Sequence, residues 1–416
     1  MKITKRLQVH FRRATSALSD KNFRFFLIGQ LISYTGFWIN SIAMSWLVYR
    51  LTGSAALLGL VTFTSQFPTF LLAPFAGVHV DRLNRKRVLQ ITIGLSALQS
   101  LLLGILALSN VITVTQLIIL GIAQAVIDAF YLPARQAFLS EIISDKTTLS
   151  NAIALNAASF HFARLVGPAI GGILIFFIGE GGCFIIDAIS YIAVLISLIF
   201  IQPNVINSSR RVGSVLQDLA DGVNYILTNT RIRLLISFVS FFCLIGISHT
   251  MLLPVLVRQH YDGSSNLLGI LVGSSGFGSL VGAIVLAIKS NEASLIQRMR
   301  ICGIIFAFSL ILISFLVPLP ITIISLFACG FCFITIAAGA NTLIQTAVPD
   351  HYRGRVMSFF AMSFTGMMPL GAIGSGWLAD QIGLSGALAI AGTFAAVGAI
   401  WFWYQDKQAL TIQESS

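Results

Sequence analysis

Charged residues are scarce in this chain. Asp, Glu, Lys and Arg make up 10% of its 416 residues, while hydrophobic residues make up 56%. A soluble domain carries about 25% charged and roughly 45–50% apolar residues. The shortfall excludes a single soluble core as the home of all this apolar surface, so lipid must solvate part of it. Cysteine is also sparse: Cys183, Cys243, Cys302, Cys329 and Cys332 all lie in apolar segments. Cys329-x-x-Cys332 has redox or metal spacing, but it has no His or acidic neighbour and is expected to be a pair of small helix-packing residues. No G-x-x-x-x-G-K-[ST] loop is present, which excludes ATP as the direct energy source of this chain. No metal cluster, nucleophile–base set or appended soluble domain appears, so neither an enzyme nor a bound cofactor is expected. The basic N-terminus (Lys2, Lys5, Arg6, Arg12, Arg13) is not followed by a short apolar run with a small-residue cleavage site, and no cleaved signal peptide is expected.

What the chain has instead is long apolar runs, rich in Phe (32 residues) and Gly (35 residues). A bilayer core needs about 20 apolar residues in helical form. Only helices or closed barrels satisfy their backbone there, and uninterrupted runs of this length mean helices. The spans predicted are 24–49, 55–76, 88–110, 114–136, 150–178 and 183–202, then 232–255, 266–288, 298–318, 321–346, 356–381 and 386–405. Segments 1–23 and 406–416 flank them. The net charge of +11 sits in the short connections, so a membrane explains it and nucleic acid does not. With the N-terminus inside, only Arg50 and Arg258 among the Lys and Arg fall outside, and Arg164 falls within a helix. The positive-inside rule therefore predicts a multi-pass protein of the inner (plasma) membrane with both termini cytoplasmic.

Residues 203–231 separate the two sets of six. Within them, Val215 to Tyr225 has helical apolar spacing and predicts an amphipathic helix on the cytoplasmic surface. Gly53-Ser54-Ala55-Ala56-Leu57-Leu58-Gly59 recurs half a chain later as Gly263-Ser264-Ser265-Asn266-Leu267-Leu268-Gly269, at the same place in each half. Two parallel six-helix halves (24–202 and 232–405) are a transporter architecture, with a substrate site between them near mid-membrane.

Polar residues in the spans mark candidate sites. Arg164 lies near mid-depth of the fifth span. His161 is one turn away on the same face, and Asn156 is two turns away. Such a cation needs a cavity, a partner or an anionic substrate. Two readings stand: a substrate or ion-coupling cluster, or a structural ion pair with Asp187 or Asp128. On the first helix Gln30, Ser33, Tyr34, Trp38 and Ser41 share a face, with Asn40 beside it. Gln66, Asn341, Thr342 and Gln345 are candidates to line the same space from other helices.

Two motifs go further. After the second span the chain reads Gly77-Val78-His79-Val80-Asp81-Arg82-Leu83-Asn84-Arg85-Lys86-Arg87, and the fifth span contains Gly167-Pro168-Ala169-Ile170-Gly171-Gly172. The first resembles the signature loop of the major facilitator superfamily, G-x-L-A-D-R-x-G-R-K, matching at Gly77, Asp81, Arg82, Arg85 and Lys86. Asn84 stands where that pattern has its second Gly and is expected to supply the left-handed conformation. The second resembles the end of the antiporter signature of superfamily exporters, G-P-x-x-G-G. Further likeness, in Asn22-Phe23-Arg24, Pro133-Ala134-Arg135 and Arg353-Gly354-Arg355, is to the branch containing enterobactin exporters and macrolide-efflux proteins.

The resemblance implies an all-α membrane fold of twelve helices in two pseudo-symmetric bundles. It implies that the loop aspartate, Asp81, holds one access state, and that the loop arginine, Arg85, pairs with Asp128. A competing reading makes Asp128 a proton carrier. The function implied is secondary, proton-coupled export of a small amphipathic molecule, siderophore or drug, by alternating access. A siderophore importer or lysophospholipid flippase on the same fold is the alternative, and a non-transporting receptor or enzyme is a third. The partners expected are the small-molecule substrate, a coupling proton and the bilayer, with a monomer as the transporting unit.

Overall fold

The computed structural model describes residues 16–80, 82–143, 145–202, 215–288 and 292–415. Of the positions singled out above, Asp81, the basic residues before 16 and the linker segment 203–214 lie outside these. The helices are α1 (Lys21–Thr52), α2 (Ala55–Thr64), α3 (Phe67–Val80), α4 (Arg85–Leu108), α5 (Val114–Ile142), α6 (Leu149–Phe200) and α7 (Val215–Thr228). They continue as α8 (Thr230–Gly246), α9 (Ser248–Met251), α10 (Leu253–Gln259), α11 (Ser265–Ile288), α12 (Glu292–Ser314), α13 (Leu319–Ala347) and α14 (Asp350–Ser415). Among the described residues there is no strand.

Among the described residues, ten helical runs are long and apolar enough to cross a membrane, the second built from α2 with α3 and another from α8 to α10. Two are too long for one crossing: α6 has 52 residues and α14 has 66. At about 1.5 Å per residue, 52 residues reach far beyond a core of about 30 Å. Each is broken by a glycine in the left-handed region, Gly179 at φ 70° and Gly383 at φ 79°. Only glycine takes that conformation without strain. Each of these helices is therefore two spans, and the described residues hold twelve.

Local chemistry sets the helix starts. Thr113 and Gln116 form a reciprocal capping box on α5, with the Thr113 amide donating to Gln116 Oε1 at 2.8 Å. Asn84 caps α4, its Oδ1 accepting from the Arg87 amide at 3.1 Å with φ at −70°. The left-handed turn expected at Asn84 is thus absent. An Asn just before a helix gains more by capping an orphan N–H than by imitating glycine.

The fourth span also differs from its expected end at residue 136. It runs on to Ile142, with Pro133 inside it. Membrane helices tolerate proline because neighbouring groups satisfy the freed carbonyl. Arg135, placed by the sequence near a cytoplasmic end, consequently lies about two turns inside the helix. Residues Val215–Thr228 form α7, which packs on the start of α14. Tyr225 stacks on Tyr352 at 4.5 Å, and Asp221 meets Arg355 at 3.0 Å.

The chain divides into two compact units, Met1–Met44 with Leu71–Arg210, and Ser45–Phe70 with Arg211–Ser416. The first has a core of Phe23, Phe26, Leu89, Phe138, Ile142 and Leu198. In the second, Phe238 stacks on Phe402 at 4.0 Å beside Phe242 and Phe306. There α11 and α13 touch backbone to backbone, with Gly278 against the Phe327 carbonyl and Gly330 against that of Ser275. Small residues at such crossings are what allow membrane helices to pack. The second unit also takes in α2, which belongs by sequence to the first six spans and here lies along α14.

Candidate functional site

In the first unit α1, α5 and α6 bring a set of hydrogen-bond donors together. The polar face of α1 supplies Gln30, Tyr34 and Trp38. Tyr131 donates to Gln30 Oε1 at 3.1 Å, and Tyr34 donates to Asn156 Oδ1 at 3.3 Å. Phe160 meets Tyr34 edge-on at 5.2 Å and Trp38 at 5.8 Å, and His161 follows it at 5.8 Å. Two guanidiniums lie over this aromatic group. Arg164 is 5.5 Å from the Trp38 ring, and Arg135 is 5.3 Å from Tyr34 and 5.4 Å from Tyr131. Cations favour aromatic faces through the ring quadrupole.

The glycines of the G-P-x-x-G-G motif set this geometry. A Cβ at Gly167 would come within 2.5 Å of Trp38 Cβ, and one at Gly171 within 3.2 Å of the Ile39 Cα. Their absence lets α6 lie directly on α1, so Arg164 reaches Trp38. Pro168 and Gly172 are buried on the same stretch.

The set has more donors than acceptors. Gln30 is 1% exposed and its Nε2 has no hydrogen-bond partner; Trp38 Nε1 and His161 Nδ1 are likewise buried and unpartnered. Among the described residues no carboxylate forms an ion pair with Arg164 or Arg135. The two carboxylates proposed for Arg164 are bound elsewhere. Asp128 accepts from Gln124 Nε2 at 3.1 Å. Asp187, 1% exposed, accepts on Oδ2 from Asn40 Nδ2 at 2.6 Å and Ser100 Oγ at 2.7 Å. Asp187 Oδ1 lies against Gly36 of α1, with Ser190 Oγ 3.5 Å away, and Asp128 is within its electrostatic reach. The structural ion pair is therefore not what holds Arg164.

A sequence profile of transmembrane secretion effectors matches residues 13–411. The chain belongs to this family. It is a membrane transporter of the major facilitator type and not an enzyme. It is 27% identical over 402 residues to the staphyloferrin A transporter of Staphylococcus aureus, covering 94% of this chain and 98% of that one. It is 28% identical to the multidrug efflux pump Tap of Mycolicibacterium fortuitum, over 86% of this chain and 89% of Tap. To macrolide efflux protein A of Streptococcus pyogenes it is 23% identical, covering 88% and 91%. Among solved structures, a bacterial homologue of the human lysosomal transporter Spinster, inward-facing and unoccupied, superposes with a TM-score of 0.74 at 13% identity, covering 94% of this chain and 98% of that one. The nucleoside transporter NupG gives 0.74 at 15% identity, covering 93% and 99%. These structural likenesses show the fold.

In this secretion-effector chain the signature loop ties three helix ends of the first unit together. Arg85 Nη1 donates to Glu141 Oε1 at 2.7 Å, with side chains only 13% and 17% exposed. Lys86 donates to the Ile201 carbonyl at 2.8 Å. Both cations thus meet helix C-terminal ends, where the dipole favours them. The pairing of Arg85 with Asp128 is replaced by Arg85 with Glu141. Because α5 extends to Ile142, Asp128 lies about 20 Å along the helix from Glu141. Arg82 is exposed, and a Cβ on Gly77 would meet open space. Exchanging the charges, Arg85→Glu with Glu141→Arg, is expected to restore transport lost in either single variant, measured as whole-cell efflux. Rescue by Asp128→Arg instead would contradict the geometry.

Gln66 is exposed at the break between α2 and α3, and Gln345 donates to Asn341 at 3.0 Å on α13; all three belong to the second unit. Sequence reasoning missed Arg135 and Tyr131. The run from Asp128 to Glu141 without a glycine was the signal that α5 continues and carries both residues inward.

Proposed function

We propose that this transporter exports a small, acceptor-rich anionic molecule of siderophore type across the plasma membrane, by alternating access and in exchange for protons. Both termini are cytoplasmic in this reading, as the distribution of Lys and Arg supports. The observation that carries it is the donor surplus. Arg164, with no carboxylate ion pair among the described residues, and Arg135, within electrostatic reach of Asp128, are stacked on aromatic rings beside the orphan Gln30 Nε2 and Trp38 Nε1, and together they suit a ligand that brings negative charge, acceptors and flat apolar surface. Buried donors left unpaired are costly, and a ligand that satisfies them recovers that cost. The names of the Tap and macrolide efflux relatives support outward transport, and that of the staphyloferrin A transporter supports a siderophore cargo.

The coupling proton is assigned to Asp187. Its carboxylate is buried, has three neutral donors (Asn40, Ser100 and Ser190) and no cation among the described residues, and sits where three helices meet. An ionisable group in such a place is costly when charged and is suited to taking up and releasing a proton.

Inside-out vesicles containing the purified protein test this. With staphyloferrin A as probe, an acidic interior is expected to drive accumulation several-fold above equilibrium, and an uncoupler to abolish it. Accumulation that ignores the gradient, or that occurs only in right-side-out vesicles with acid outside, would overturn coupled export.

A further inference from the structure

The first half of α14 ends, at the Gly383 break, in a second copy of the signature-loop pattern. Gly376-Trp377-Leu378-Ala379-Asp380-Gln381-Ile382-Gly383 matches G-x-L-A-D-R-x-G at every fixed position except the arginine. It ends on the left-handed Gly383.

What this copy does is visible in the second unit. Asp380 is placed on the first turn of α2. Ser54 Oγ donates to Asp380 Oδ2 at 2.5 Å, the Ala55 amide to Oδ1 at 2.7 Å, and the Ala56 amide to Oδ2 at 3.1 Å. The first N–H groups of a helix have no partner within it, and its dipole favours an anion there. Asp380 supplies both. Ser54 completes the turn by capping α2 through the Leu57 amide at 3.1 Å. Below the carboxylate the two helices touch at glycines: Gly376 lies against the Ala55 carbonyl, and Gly59 against that of Ala372. Close by, Arg258 sits 5.4 Å from the Trp46 ring.

The attachment is confined to the outer part of the second span. Its helix breaks between α2 and α3 at Ser65 and Gln66, and the compact units divide the chain at Phe70 and Leu71. A strong contact thus fastens a short helix of the first six spans to the eleventh span, and a break in the helix separates that piece from the rest.

We propose that Asp380, seated on the N-terminus of α2, is the latch of the outer gate. It holds the outward side shut and must release α2 for substrate to leave. The outward placement rests on the cytoplasmic termini of the proposed function; the contact itself does not.

The test uses a cysteine at Ala55, a residue 2% exposed beneath the carboxylate. Whole cells expressing Ala55→Cys are treated with a membrane-impermeant maleimide. Labelling is expected to be slow with Asp380 intact and about tenfold faster with Asp380→Ala added. Asp380→Glu is expected to restore slow labelling, because it keeps the anion, and Ser54→Ala to give an intermediate rate. Gel filtration in detergent shows that each variant is folded. An unchanged rate in folded Asp380→Ala protein overturns the latch. A faster rate seen only in inside-out vesicles overturns the orientation while leaving the contact as a latch of the other face.

Discussion

Arg164→Gln is expected to weaken binding of an anionic substrate by about a hundredfold, and to leave a neutral macrolide within about threefold. Arg164 is fixed over Trp38 and forms no ion pair with a carboxylate among the described residues, so its charge is available to a ligand. A hydrogen bond to a charged group contributes about 1.5–3 kcal/mol, and truncating one member of a buried charged pair costs about 2–5 kcal/mol. At about 1.4 kcal/mol per tenfold, a hundredfold loss lies inside that range. Arg164→Lys keeps the charge but loses the planar fork and the stacking, and an intermediate loss is expected. Arg135→Gln should behave like Arg164→Gln. The double variant should fall short of the product of the two losses, because both arginines share the ring group of Tyr34, Phe160 and Trp38. Calorimetric titration with staphyloferrin A and with a macrolide measures all four. Equal loss for both ligands would mean that Arg164 shapes the helix contact and does not recognise charge.

Asp187→Asn is expected to reduce gradient-driven accumulation more than tenfold while leaving substrate exchange across a vesicle membrane within about twofold. Asparagine keeps an oxygen that accepts from Asn40 and Ser100, so the three-helix junction survives. It cannot take up or release a proton, so movement of substrate loses its link to the gradient. Accumulation and exchange must be measured on the same preparation. Loss of both would show that the variant damages the fold or the cargo site. Full accumulation in Asp187→Asn would remove the coupling role, and the same measurement on Asp128→Asn would then show whether the neighbouring carboxylate carries it.

Much of this architecture could be seen in the residues. Apolar runs longer than any soluble core needs, with basic connections, define the spans, and two short motifs define the superfamily. Arg164, His161, Asn156, Tyr34 and Trp38 do converge, because spacings of three and four on a helix are spatial neighbours. What was hidden depended on how far a helix continues. An end at residue 136 places Arg135 at the membrane surface and Asp128 within reach of the loop. Six more residues of helix moved Arg135 into the site and gave Arg85 to Glu141. The role of Asp380 was hidden for another reason. Two of its three partners are backbone amides of α2, and backbone donors leave no trace in residue identity.

The glycines at 167 and 171 bind the choice of cargo to the spacing of two helices. Each is a place where a single methyl group would push α6 away from α1, and the first casualty would be the stacking of Arg164 on Trp38. A change of substrate preference in such a protein does not require a new side chain in the pocket. It is enough to thicken the wall by one carbon.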